Sequence, residues 1–405
     1  MMDSTLARGS FCGPSLHELT LPGLRLALGR FLVVASFFWP FFNFDLIAPG
    51  STLEINFLPV FAAVLILPEL FFLDIPALLL TIPAYLAAFF LATPSAAARL
   101  VIAMVPMHFI LNLVRRLRER GGDLVPATWA FRGLKLFVLF SVAQTINLHF
   151  LHILPAPLQD TLLAIIPRYQ IEPYDMLGIH GVQGWASEPS SAGLLTCAFA
   201  LVAIQQRPEW KWRVMAWFAA LVVLNKSIYA ITLGILLLAA CMASMRRKWI
   251  ALVGMVPASA LVGLYIASSN RVATLRETIS IDGLNSESNH ELARFVQIFA
   301  PYGQLPHIYN PVILFDNWVM EPMGLLSLCV GYGSIFGLLW LLYILHKNFP
   351  ISQVQERGFW LVALIGLLIM ASPDLVCSIV ALAVFLVTRS TGLADTEFVA
   401  EPINA

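Results

Sequence analysis

Residues 213–246 read RVMAWFAALVVLNKSIYAITLGILLLAACMASMR, an apolar stretch with positive charge at both ends. Between Arg213 and Arg246 lie 32 residues. As one helix they would span about 48 Å, against roughly 30 Å of hydrocarbon in a bilayer. Cytoplasmic loops retain basic residues, so charge at both ends predicts a hairpin that returns to its starting side. Each arm is then about 16 residues and barely crosses. The tip is Asn225-Lys226-Ser227, predicted at outer-leaflet depth.

The rest of the chain reads the same way. Of 405 residues, 59% are apolar and 12% charged, with 24 Lys+Arg against 24 Asp+Glu and a mean hydropathy of +0.81. Soluble domains carry about 25% charged residues. The composition excludes an ordinary soluble enzyme and a disordered chain. With no basic excess it also excludes a nucleic-acid binder. The five cysteines (Cys12, Cys197, Cys241, Cys329, Cys377) form no CxxC pair, which argues against a disulfide framework and a zinc site.

Apolar runs long enough to cross predict spans at 31–47, 55–73, 75–92, 97–114, 129–152, 189–205, 214–225, 228–245, 249–267, 323–346, 358–372 and 375–388. The first is expected to be a span and not a cleaved signal peptide, because no small-x-small site follows it. Ser372-Pro373-Asp374 breaks the last apolar region into a second hairpin. Placing the clusters Arg115, Arg116, Arg118 and Arg120; Arg207, Lys211 and Arg213; Arg246, Arg247 and Lys248; and Lys347 and Arg357 inside also brings Arg8, Arg25, Arg30, Arg132, Lys135 and Arg389 to that side, eighteen of the 24 basic residues. The expected fold is an all-α polytopic membrane protein, 1–405 as one integral membrane domain, with about 12 transmembrane helices and both termini cytoplasmic. Residues 1–150 form scaffold helices, 323–388 closing helices, and 153–188 and 268–322 two large outer loops.

Six basic residues break the inside bias: Arg99, Arg168, Lys226, Arg271, Arg276 and Arg294. Arg99 begins a helix and reads as an interface residue. The other five fall in or face the outer loops. They fit either a groove for an anion, since arginine donates two parallel bonds to phosphate, or ion pairs with Glu277, Asp282, Glu287 and Glu291. Lys226 lies between apolar runs. It either snorkels to the interface or needs a polar cavity. In the segment 181–193, Ser187 suits an N-cap, Pro189 the first helical turn, and Glu188 the positive helix end. Glu188 is also a carboxylate able to take a proton from a hydroxyl. His149 and His152 read as interface packing, with no metal required.

The string Trp185-Ala186-Ser187-Glu188-Pro189-Ser190-Ser191-Ala192-Gly193 resembles the (F/W)xSEPSxxG signature of the O-antigen and exopolysaccharide polymerase family (Wzy-type). Asn225-Lys226-Ser227 is similar to that family's basic/serine turn two spans later. The stretch Ser269-Asn270-Arg271 through Arg294 is similar to its large loop with two spaced arginines. Asn317-Trp318 through Gly331-Tyr332-Gly333-Ser334-Ile335-Phe336-Gly337 is similar to its closing N…YG-x-x-G segment. The likeness covers about residues 180–345.

The resemblance implies a membrane glycosyltransferase-like fold in a bacterial inner membrane, with periplasmic outer loops. The implied activity is polymerisation of undecaprenyl-pyrophosphate-linked oligosaccharide repeat units, without nucleotide, metal or other cofactor. Implied partners are the lipid-linked glycan, the bilayer, and a chain-length regulator and flippase of the same pathway. By this resemblance Arg271 and Arg294 hold pyrophosphate, with Lys226 and Arg168 assisting. Glu188 is the base, with His290 or His307 as rival. Ser187, Ser190, Asn317 and Tyr332 line the site. An O-antigen ligase and a lipid-glycan flippase or transporter are the alternative readings.

Overall fold

The computed structural model describes residues 21–38, 74–91, 94–121, 123–146, 182, 184–186, 189–225, 227–244, 324–348 and 357–368. Of these, 92% are helical and none is in a strand. The helices are α1 (Leu21–Phe38), α2 (Ile75–Leu91), α3 (Pro94–Gly121), α4 (Ala127–Ile146), α5 (Pro189–Gln206), α6 (Lys211–Asn225), α7 (Ile228–Ala243), α8 (Gly324–Asn348) and α9 (Arg357–Leu368). A short 3-10 turn, Pro208–Trp210, joins α5 to α6.

The hairpin expected from charge is present. Its arms, α6 and α7, have 15 and 16 residues, so each rises about 22–24 Å. Two helices differ from the sequence expectation. α1 begins at Leu21, ten residues before the expected span 31–47, because Pro22 suits a first turn. α3 runs to Gly121, so Arg115, Arg116, Arg118 and Arg120 lie on the last turns of a helix and not in a loop. Among the described residues one helix, α4, is long and apolar enough for a full crossing. α2, α5, α7 and the second half of α8 are apolar but shorter.

Large apolar side chains also face outward. On α2 the exposed positions include Ile75, Leu78, Leu79, Ile82, Leu86 and Phe90, which recur at helical spacing along one stripe. Phe90 is 74% exposed and Ile75 65%. A soluble protein rarely leaves such a contiguous patch uncovered. α5 is the reverse: residues 191–204 are all buried, and α4, α6 and α7 pack around them. Small residues allow this. A Cβ added at Gly193 would lie 2.8 Å from the Cβ and 2.9 Å from the Cα of Ala230, so the backbones of α5 and α7 meet there. α2, α3 and α8 pack into a second group, with α8 also meeting α9.

Polar contacts concentrate at the two ends of the helices. At one end Gln206 Oε1 accepts from Ala127 N at 2.7 Å and its Nε2 donates to Val125 O at 2.8 Å. There Arg30 Nη2 reaches Asp123 O at 3.5 Å and Lys211 Nζ donates to Ser244 Oγ at 3.0 Å. Arg115, Arg116, Arg132, Arg207, Arg213, Lys347 and Arg357 lie towards this same end, and Lys135 near the middle of α4. Arg99, on the second turn of α3, stands at the other.

Candidate functional site

The opposite end holds the hairpin tip. α6 stops at Asn225, short of the level that the 20-residue α4 reaches. The polar groups of the tip are nevertheless shielded: Asn225 is 1% exposed and Ser227 4%. A buried polar group without a partner costs about 1–3 kcal/mol, so these groups must be bonded. Their partner is the segment just before α5. Asn225 Nδ2 donates to Val182 O at 2.9 Å, Val182 N donates to Leu224 O at 3.4 Å, and Asn225 Oδ1 accepts from Ser227 N at 3.1 Å.

The same segment is held from the side of α4. Gly184 N donates to Gln144 Oε1 at 2.9 Å. Gly184 has φ +62°, and a Cβ there would sit 2.4 Å from Phe137 Cε1; both features demand glycine. The Trp185 ring lies 4.4 Å from that of Phe137 and 5.9 Å from that of Phe140, and its Nε1 donates to Phe38 O at 3.2 Å. Phe137 is the eleventh residue of α4, about 15 Å along its axis. The strap therefore lies beside the C-terminal half of α4, level with the short hairpin tip. Of the described residues within the expected outer loop 153–188, Val182 is 2% exposed and Ala186 0%.

Sequence reasoning placed its chemistry on two motifs forty residues apart, and the structure brings their flanks together. Pro189 opens α5, as its ring predicts. Glu188, Ser187, Lys226, Arg168, Arg271, His290, Arg294, His307 and Asn317 lie outside the described residues. Ser190 lies on the first turn of α5 and Tyr332 within α8, by backbone alone. Two residues from Tyr332, α8 is broken. Ser334 has φ 53° and ψ −144° and is 4% exposed. A non-glycine residue in that region costs on the order of 1–3 kcal/mol. The break carries the preceding turn over Gly337, where a Cβ would collide with the carbonyl of Cys329. This explains why Gly337 follows the kink.

A second polar cluster was not foreseen. Asp74, 4% exposed, precedes α2 and accepts hydrogen bonds from Tyr343 Oη at 2.9 Å and from Lys347 Nζ. Burial alone would raise the Asp74 carboxyl; the bonds from Lys347 and Tyr343 outweigh it and hold it below the ordinary value. The cluster ties the C-terminal end of α8 to the start of α2. Its sequence signal was a lone carboxylate between two apolar runs, 55–73 and 75–92. Gln144 gave a similar signal as an amide near the end of a span, which needs a partner when buried.

No protein-family model, no curated protein and no solved structure matches the chain.

Proposed function

We propose that the chain is a polytopic membrane glycosyltransferase of about twelve spans that polymerises polyprenyl-pyrophosphate-linked oligosaccharide repeat units at the periplasmic face of a bacterial inner membrane. The observation that carries this is the bond between Asn225 and Val182. It joins the Asn-Lys-Ser tip to the run-in of the Ser-Glu-Pro-Ser motif, as a shared site requires. Two further features support the membrane setting. The outward stripe of α2 is apolar, and nearly all described basic residues stand at the end away from the strap.

In this reading Lys226, next to Asn225 in the chain, and Glu188, six residues after Val182, supply a cation and a carboxylate near the outer leaflet. The reaction needs cations to stabilise charge developing on the departing pyrophosphate and a base for the attacking sugar hydroxyl. Arg271 and Arg294, with Lys226 and Arg168, supply the first. Glu188 supplies the second, with His290 or His307 as rival. Ser187, Ser190, Asn317 and Tyr332 line the pocket.

The test is gel and mass analysis of lipid-linked glycans in a deletion strain, complemented with wild type, Glu188→Ala or Arg294→Ala. Single lipid-linked repeat units, with no polymer in the deletion or in either variant at normal protein level, are expected. Full-length polymer stranded on its carrier in the deletion would mean a ligase. Repeat units trapped on the cytoplasmic side would mean a flippase.

A further inference from the structure

α1 meets α4 mainly at one point, where Phe38 packs on Gly133. A Cβ on Gly133 would come within 2.7 Å of Phe38 Cε1, so glycine is what lets the ring seat. Around this contact a lateral cleft of about 340 Å³ opens, lined by Phe38, Trp129, Arg132, Gly133, Leu136 and Trp185. Its size falls in the roughly 300–1,000 Å³ range of small-ligand pockets. Trp129, Arg132, Gly133 and Leu136 follow the i, i+3, i+4, i+7 stripe of one helix face. From Arg132 to Phe140, which touches Trp185, is about 12 Å along the axis. The cleft is thus an apolar, aromatic trough with one cation near the basic end of the helices.

Arg132 is exposed, and among the described residues no carboxylate pairs with it. Lys135, one turn on, lies 4.9 Å over the ring of Phe131. A guanidinium left without a carboxylate beside an apolar trough calls for an anion attached to a hydrocarbon chain. Phosphate fits the guanidinium fork, and basic groups at that level of a bilayer meet an anionic leaflet.

We propose that the α1–α4 cleft holds one acyl chain of an anionic phospholipid whose headgroup phosphate pairs with Arg132. The cleft runs from Arg132 up to Trp185 of the strap, but the proposal does not depend on the polymerase reading. It requires only that α4 spans a membrane, and a negative glycan assay leaves it standing.

The test is native mass spectrometry of the purified full-length chain, delipidated in a nonionic detergent. It is titrated with dioleoyl phosphatidylglycerol, dioleoyl phosphatidylcholine, or the deacylated headgroup glycerophosphoglycerol. One phosphatidylglycerol per chain is expected, at an affinity at least five-fold above that of phosphatidylcholine. Arg132→Gln should abolish that preference and Arg132→Lys restore part of it. Leu136→Trp, which fills the trough at a 60% exposed position, should weaken both lipids. Gel filtration and melting temperature confirm that each variant is folded. Equal binding of the two lipids by wild type, a preference that survives Arg132→Gln, or displacement of the lipid by glycerophosphoglycerol at equal concentration would each overturn the assignment.

Discussion

Removing the Asn225 amide should loosen the strap that joins the two motifs. In Asn225→Ala the carbonyl of Val182 loses its donor at 2.9 Å and Ser227 N its acceptor at 3.1 Å. Both sites are buried, at 2% and 4% exposure, so water cannot replace the lost partners. Each orphaned group costs about 1–3 kcal/mol, which puts the variant on the order of 2–6 kcal/mol below wild type. At about 2 °C per kcal/mol for a larger chain, the melting temperature should fall by roughly 4–12 °C. The assay is thermal unfolding of the detergent-solubilised protein followed by size-exclusion fluorescence. Val223→Ala, two residues away but 56% exposed, is the control and should stay within about 0.5 kcal/mol. Gln144→Leu orphans Gly184 N on the other side of the strap. Because both bonds hold one segment, the double variant should be less destabilised than the sum by at least 0.5 kcal/mol. A melting temperature for Asn225→Ala within 1 °C of Val223→Ala, or strict additivity with Gln144→Leu, refutes the strap as a single unit.

Asp74→Asn should remove the acid-side part of the stability profile. The folded carboxyl is held below its ordinary 3.8, so its contribution is present above that value and is lost as pH falls through the folded value; melting scans from pH 6 down to pH 3 should diverge from wild type at neutral pH and converge in acid. Ser334→Gly should raise the melting temperature, since it relieves about 1–3 kcal/mol of backbone strain at φ 53°; a lower melting temperature would mean that the hydroxyl contributes more than the strain costs. Gly193→Leu should destabilise by at least 1–3 kcal/mol, because the obstacle is the Ala230 backbone and not a flexible side chain; normal yield and melting temperature would deny the close α5–α7 contact.

Much of the helical layout was legible because apolar run length and charge placement act locally. The α6–α7 hairpin followed from two basic clusters 32 residues apart, and Pro189 marked the start of α5 within one residue. α1 was misplaced because Arg25 and Arg30 interrupt its apolar count, although its own N-terminal proline was a usable signal. The helical Arg115–Arg120 turns were missed for a related reason: charge marks the end of a span, while a helix can run on past the membrane.

The sequence by itself determined the helical class, the apolar character and the two motifs, since each rests on residues near one another in the chain. Only the tertiary structure decided three other things. It set Val182 against Asn225, a pairing 43 residues apart. It closed Asp74 onto Lys347 across 273 residues. It opened a cleft between α1 and α4 beside Arg132. The physical reason is common to all three. A buried hydrogen bond or a packing gap depends on which short helix ends at which depth, and neighbours in sequence carry no record of that.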